Sequence, residues 1–244
     1  MSALTYPQLT QYPVVRRRKL RTVVNRSADG HVVILADAPG ATTEWQLQYA
    51  DLSDTEIATL ESFFAAAEGT LNAFTFLDPE ANLLAWSGKL DEAVWVKGPA
   101  LTLTASSAGW QVSNPGVGAQ SITQTIEAPA GIVYCLSAEV QGTGLVTMLA
   151  GSFRADCMLT GGRQRIVFPA TPDTATFGLE LPAGSAVTVQ GMQVEAQWGA
   201  STYRASTTGG VYVGARLGDD ALEVVTTDVN RHSCTVKVLY ADHR

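Results

Sequence analysis

The chain has 244 residues, 46% of them hydrophobic and 16% charged, and its formal net charge is −7. This length suffices for two domains, and the acidity argues against nucleic acid as the main partner. The three cysteines have no CxxC spacing, so they indicate neither a disulfide framework nor a zinc site.

The N-terminus lacks the apolar stretch of a signal peptide, and no apolar run approaches the ~20 residues that span a bilayer. We therefore expect a soluble protein that is made in the cytosol and does not insert into membranes.

The first fifty residues read as strands. Segment 12–25 places a basic cluster between two valine pairs, and the apolar segment 31–37 follows a turn at Gly30. Segment 42–52 alternates between apolar and polar residues, which predicts a half-buried strand. Its apolar face consists of Trp45, Leu47 and Tyr49.

One helix is predicted, over residues 53–68. Ser53 is placed to cap it and Glu56 stands three residues later, which is the pattern of a capping box. Gly69 is the expected stop, and a further strand follows over 70–78. The helix carries an apolar stripe that must lie on a sheet: Ile57, Leu60, Phe63, Phe64 and Ala67.

Residues 83–204 have a different pattern, with short strands rich in Thr, Val and Gly and turn signals every 8–12 residues. Without helices, this pattern predicts a two-sheet β-sandwich or jelly roll. Segment 209–244 contains three more strands, with a tight hairpin predicted at Gly218–Asp220. Three strands do not form a stable domain alone.

We therefore predict a mainly β protein with one helix and a discontinuous domain. Residues 205–244 would complete the sheet begun by residues 1–82, and residues 83–204 would be an inserted sandwich. Such insertions are tolerated at surface turns because loop closure costs grow slowly with length.

Two stretches carry a resemblance to a known family. The first contains the basic RRRK strand, the Asp-Gly turn, EWQLQYADLSDTEIATLESFFAAAEGTLNAFTFLDP and NLLAWS. It covers about residues 1–87 and resembles distal tail proteins of long-tailed bacteriophages and prophages. The second is GMQVEAQWGASTYRAS at 191–206, which resembles the closing strand of galactose-binding-like jelly rolls in phage tail proteins. NLLAWSGKLDEAVW at 82–95 is similar to the start of such inserts.

The resemblance implies a β-barrel or sandwich domain that forms a homo-oligomeric ring, by family a hexamer, between the tail tube and the tip or baseplate. Its implied partners are the tail tube protein and the hub and fibre proteins, and DNA would only pass through. The implied location is the tail tip of the virion, after assembly in the host cytoplasm. In many such proteins the second module trails the ring domain, whereas here a set of return strands is inferred.

The most conspicuous charge cluster consists of Arg16, Arg17, Arg18, Lys19 and Arg21. One interpretation is a solvated strand edge that its charge protects from aggregation. A second is a set of intersubunit contacts to acidic neighbours in a ring. A third is a lining that faces passing DNA, where positive charge would slow its exit.

Four tryptophans lie in the predicted insert: Trp86, Trp95, Trp110 and Trp198. Large amphipathic rings close the ends of sandwiches well, which is the simpler interpretation. A glycan-binding site would instead expose an aromatic face beside polar groups. Trp110, in a turn-rich segment, is the best candidate for such a face, with Asn114 as its polar partner.

The sequence has no GxSxG, HExxH or phosphate-loop motif, and its three histidines are scattered. We expect no enzyme activity, no cofactor and no metal site. The leading hypothesis is a ring-forming structural virion protein whose outward insert docks fibres or touches cell-surface glycans. The alternative is a carbohydrate-binding module for host adhesion.

Overall fold

The computed structural model describes residues 4–9, 11–169 and 174–241. Within these ranges the chain forms sixteen strands and a single helix, α1 (Asp54–Ala67), so the predicted mainly β class is confirmed. The strands are β1 (Val14–Arg26), β2 (Val32–Leu52), β3 (Phe74–Leu77), β4 (Val96–Lys97), β5 (Thr102–Ser106), β6 (Gly109–Ser113), β7 (Gln120–Glu127), β8 (Val133–Thr143), β9 (Thr147–Ala150), β10 (Phe153–Asp156), β11 (Thr160–Pro169), β12 (Thr174–Leu181), β13 (Ala186–Glu195), β14 (Val211–Leu217), β15 (Val224–Asp228) and β16 (Arg231–Ala241).

The chain divides into two compact units. The end unit combines Met1–Phe76 with Tyr212–Arg244, and the middle unit is Leu77–Val211. Residues 1–3 and 242–244 of the end unit lie outside the described part of the chain. The domain boundaries predicted from the sequence were 82/83 and 204/205, whereas the two units meet at 76/77 and 211/212.

The end unit has one sheet, in the order β1-β2-β16-β14-β3, with β15 also beside β16. Strands from both ends of the chain therefore share it. The register of β2 and β16 places Trp45 opposite Val238 and Leu47 opposite Val236. All four side chains are buried, which confirms the predicted apolar face of segment 42–52.

Helix α1 covers that face of the sheet. Ser53 accepts the N–H of Glu56 while the Glu56 carboxylate accepts the N–H of Ser53, so the predicted capping box is confirmed. The C-cap is Glu68 in the left-handed conformation, one residue before the expected Gly69. Ile57, Leu60, Phe63 and Ala67 are buried in the core of the end unit.

The predicted hairpin at Gly218–Asp220 is wrong, because β14 and β15 both lie beside β16 and do not pair with each other. Gly218 donates its N–H to the carbonyl of Lys237 at 2.8 Å. Asp220 accepts the N–H of Thr70, beyond the end of α1, also at 2.8 Å. These two bonds hold the segment to β16 and to the residues that follow α1, so it does not form a tight turn.

The middle unit is a sandwich of two five-stranded sheets, β10-β9-β12-β7-β4 and β11-β8-β13-β6-β5. The pairings within each sheet are antiparallel. Alternate residues of β8 point into the core and are fully buried, as are Phe177 and Leu179 of β12. The two-sheet sandwich predicted for this part of the chain is thus confirmed.

The chain enters and leaves the middle unit side by side. Asp78 donates its N–H to the carbonyl of Gly210 at 2.9 Å. Beyond this contact, the buried amide of Asn82 donates to the carbonyl of Met192 at 2.8 Å and accepts the N–H of Val194 at 3.1 Å. Asn82 therefore belongs to the middle unit and not, as the sequence boundaries had it, to the end unit.

We expect the end unit to fold without residues 77–211 when a short Gly-Ser linker joins Phe76 to Tyr212. Calorimetry should show one cooperative transition. Val238→Ala should lower its free energy of unfolding by about 2 kcal/mol, because Val238 is fully buried between strands from the two chain ends.

The matched control is Val213→Ala, since Val213 is 58% exposed and its truncation should change stability by less than ~0.5 kcal/mol. A linked chain that aggregates or melts without cooperativity would contradict the prediction.

Candidate functional site

The first candidate site is a two-stranded ribbon in the end unit. β1 and β2 pair from Val14 opposite Leu47 to Arg26 opposite Val32. β16 pairs with β2 only over residues 42–52. Beyond that point no third strand joins the ribbon among the described residues, and we call residues Leu20–Leu35 the arm.

The arm is apolar and exposed on both faces. Directly opposite residues share a face, so the register puts Val24 with Ile34 on one side and Val23 with Leu35 on the other. Most of its large apolar side chains are about half exposed or more: Leu20 74%, Val24 54%, Val32 47%, Val33 53%, Ile34 66% and Leu35 51%. Apolar residues on both faces are typical of a strand that is covered on both sides.

The predicted basic cluster lies at the base of the arm. Arg17 and Lys19 both reach Glu44 on β2, with N–O distances of 3.1 Å and 2.6 Å. The Glu44 side chain is only 11% exposed. Hydrogen bonding from Lys19, followed by that from Arg17, holds the pKa of Glu44 below its ordinary value of 4.5.

The other three cations of the cluster are spread over the strand. Arg16 donates to the hydroxyl of Tyr212 at 3.0 Å, and its guanidinium lies 5.6 Å from the centre of the Trp45 ring. Arg18 and Arg21 are exposed, and the register shifts between Lys19 and Arg21. Arg16, Arg17 and Lys19 thus contact groups in their own unit. The intersubunit role of the cluster stays a prediction.

The second candidate site is a groove of about 500 Å³ in the middle unit. Trp110 lies in its wall, half-buried against the sandwich core, and donates its indole N–H to the carbonyl of Gly88 at 3.0 Å. The Tyr203 hydroxyl contacts the Ser87 hydroxyl at 3.2 Å, and the Arg163 guanidinium lies 6.0 Å from the Tyr203 ring centre. The groove combines aromatic faces with hydroxyl and amide groups from Ser106, Ser107 and Gln190.

The structure does not bring Asn114 together with Trp110. Asn114 is 1% exposed, and its amide donates to the carbonyls of Gly118 and Leu181, both at 2.8 Å. Its side-chain oxygen accepts the N–H of Gly116 at 3.0 Å. The amide is therefore used to hold a loop, which corrects the expectation of a polar group exposed beside Trp110.

The tryptophan that is presented to solvent is Trp198, at 76% exposure. Glu195 fixes its loop, because the carboxylate accepts the amide of Gln197 at 2.8 Å and the N–H of Ser201 at 3.0 Å. Trp198 is one of the four tryptophans noted in the sequence, but Trp110 was the one expected to be exposed. A signal for exposure was present in the sequence. Trp198 comes just after the point where the apolar–polar alternation of β13 stops, and directly before Gly199.

Two buried thiols of the middle unit have clearly shifted pKa values. Burial raises the pKa of Cys135 and of Cys157 to about 11 each, so both thiols are protonated at neutral pH. In the described part of the chain, no group of three or more His, Cys, Asp or Glu side chains is placed to hold a metal ion. The helix of this part is too short and too polar to cross a membrane.

The fold is thus an all-β architecture with one helix. In the order of the sequence, the segment that forms the two-sheet sandwich comes between the two segments that form the end unit. The chain matches no protein-family model and no curated protein sequence.

Among solved structures, the chain is similar to the enzymatically active domain of tailspike protein 4 from bacteriophage CBA120. The identity is 14% and the TM-score 0.40, over 50% of this chain and 22% of that one. It is also similar to TmCBM61 in complex with β-1,4-galactotriose, at 14% identity and a TM-score of 0.33, over 48% of this chain and 99% of that one. The C-terminal CBM6 of LamC from Zobellia galactanivorans is also similar, at 13% identity and a TM-score of 0.28, over 51% of this chain and 99% of that one. The chain spans about a fifth of the tailspike structure and nearly all of the two modules.

Glu44→Gln should destabilise the end unit by about 1 kcal/mol at pH 7, since it weakens two ion pairs whose cations are largely exposed. The folded-state pKa of Glu44 lies below its unfolded value, so its contribution is present above pH 4.5 and is lost as the pH falls through the folded pKa. The stability gap between wild type and variant should therefore narrow progressively as the pH falls below 4.5.

Urea unfolding from pH 7 to pH 3 measures this gap. Glu61→Gln, on the exposed side of α1, is the control and should change stability little at any pH. A gap for Glu44→Gln that persists unchanged at pH 3 would contradict the assignment.

Proposed function

We propose that this chain is a structural virion protein, a distal tail protein whose copies form a ring between the tail tube and the tail tip or baseplate. The observation that carries the proposal is the arm, with large apolar side chains exposed on both faces. A two-stranded ribbon is marginally stable in water by itself. An apolar surface of this kind marks a protein contact.

In such a ring, neighbouring copies would cover the faces of the arm and pair with its free strand edges. Exposed edges are ready templates for pairing with another chain, and repeated identical contacts close into rings. The resemblance of residues 1–87 to distal tail proteins supports a hexamer, with the tail tube, hub and fibre proteins as partners. The role is structural and not enzymatic, with DNA only in transit.

Replacing the facing pair Val24 and Ile34 by threonine should abolish assembly without unfolding the chain. Threonine keeps the β-branched shape that strands favour and removes apolar surface from one face of the arm. Size-exclusion chromatography with light scattering should give an oligomer for wild type and a monomer for the double variant. Their melting temperatures should agree within ~3 °C, because neither side chain belongs to the core.

Val96→Thr is the matched control, since Val96 is a 67% exposed strand valine of the middle unit. It should assemble like wild type. A wild-type chain that stays monomeric at high concentration would refute the ring.

A second candidate function is carbohydrate binding by the middle unit, for host adhesion. Two observations favour it. One is the 76% exposed indole of Trp198 on a hydrogen-bonded loop, and the other is the aromatic and hydroxyl-lined groove beside Trp110. Sugar rings bind through their apolar faces to exposed aromatics and through their hydroxyls to polar groups, and both kinds of partner are present.

Glycan-array binding by two variants should show whether a sugar binds at the Trp198 loop or in the groove beside Trp110. We expect Trp198→Ala to lower the affinity for a bound glycan about fivefold, because one stacking contact is worth about 1 kcal/mol. Trp110→Phe keeps a ring in the groove but removes the bond to Gly88, and should leave this binding intact. The reverse pattern would place the sugar in the groove, and a wild-type chain that binds no glycan would exclude this function.

A further inference from the structure

The end unit carries a second feature that its core does not explain, a groove of about 950 Å³ on the sheet face opposite α1. Its floor consists of polar side chains of β2 and β16, among them Gln46, Gln48 and Thr235. One wall is segment 11–13, where Gln11 accepts the N–H of Ala50 at 2.8 Å. The other wall is segment 219–223, where Asp220 accepts the N–H of Thr70, three residues after the end of α1.

The groove is acidic. Among the described residues, its charged lining consists of three carboxylates, Asp219, Asp220 and Glu223, and one cation, Lys237, which gives a formal charge of −2. Lys237 pairs with Asp219 at 3.1 Å. The bond from Thr70 holds the pKa of Asp220 below its ordinary value, so this carboxylate stays ionised at neutral pH. Glu223 is exposed and makes no ion pair or hydrogen bond with any described residue.

The groove also exposes apolar surface. The side chain of Tyr12 is 62% exposed and that of Val225 is 49% exposed, and the two lie on different segments of the lining. A fitting occupant has apolar side chains along its length and an uncompensated positive charge.

The arm has these properties. Its apolar side chains are exposed on both faces, and Arg26 at its far end is exposed without an ion pair in the described part of the chain. We propose that the arm of one copy docks in the acidic groove of a second copy, with Arg26 paired to Glu223. This rests on the proposed ring and names the surface that receives the arm.

The occupant cannot be the arm of the same chain. Because the register of β2 shifts between Asp37 and Thr42, the span is measured along β1. Val15, opposite Gln46 in the groove, and Val24, opposite Ile34, are nine residues apart, which corresponds to about 30 Å at ~3.3 Å per residue. A paired strand does not fold back over that length. Donor and receiver surfaces therefore lie apart on each copy, so the contact is head-to-tail. A repeated head-to-tail contact forms a ring when its rotation closes.

Charge reversal tests the pairing in the full chain. Arg26→Glu and Glu223→Arg should each raise the dissociation constant of the assembly at least ~10-fold, because like charges then meet in the interface. The double variant should return to within ~3-fold of wild type. Light scattering over a concentration series measures this, and melting curves verify that each variant is folded. Glu127→Arg, an exposed glutamate of the middle unit, is the control and should assemble normally.

The outcomes distinguish the two proposals. A wild-type chain that never assembles overturns the ring and the docking together. An assembly that ignores both reversals, or that the double variant does not restore, overturns the docking and leaves the ring. As a second measurement, oxidising a mixture of Arg26→Cys and Glu223→Cys chains should cross-link one of each. Cross-links only between two Arg26→Cys chains would place arm against arm and overturn the groove as receiver.

Discussion

The end unit depends on the pairing of β2 with β16, which joins a strand near the start of the chain to the last described strand. Their register runs from Leu52 opposite His232 to Thr42 opposite Ala241. Without β16, the apolar face of β2 and helix α1 would have only β1 beside them, and a two-stranded sheet does not hold a core. The intervening residues must then leave and return at one place, where Asp78 meets Gly210.

The same strand that builds this core also builds the arm. β2 has 21 residues, and β16 accompanies it only from residue 42 onward. Glu44 stands near this limit and gathers Arg17 and Lys19 onto the base of the ribbon. The cations at the base therefore fix the two strands to each other, whereas the apolar faces of the arm beyond them are exposed in the part of the chain that the structure describes. This division supports the proposal that the arm is a contact surface rather than a displaced piece of core.

Local signals in the sequence predicted the local structure. The capping box at Ser53 and the alternation at Trp45 depend on neighbouring residues, and the structure has both. The sequence did not predict that β14 and β15 each pair with β16 instead of with one another. This arrangement follows from the bonds of Gly218 and Asp220 to distant segments. The environments of Asn114 and Trp198 were missed for the same reason, since what covers a side chain is decided by residues far away in the sequence. The apolar run in 31–37 predicted a strand but not that both of its faces would be exposed.

An exposed apolar ribbon with free edges is a hazard unless its pairing is restricted to one partner. Charged residues on an edge are the usual protection, because burying them against a chance apolar partner is costly. Arg21 and Arg26 stand on the arm among its valines, so an indiscriminate apolar contact would have to desolvate guanidinium groups. The acidic groove proposed as receiver would offset part of that cost. The same cations that deter chance association would thus favour docking in a groove that has an unpaired carboxylate. The end unit contains both the arm and such a groove.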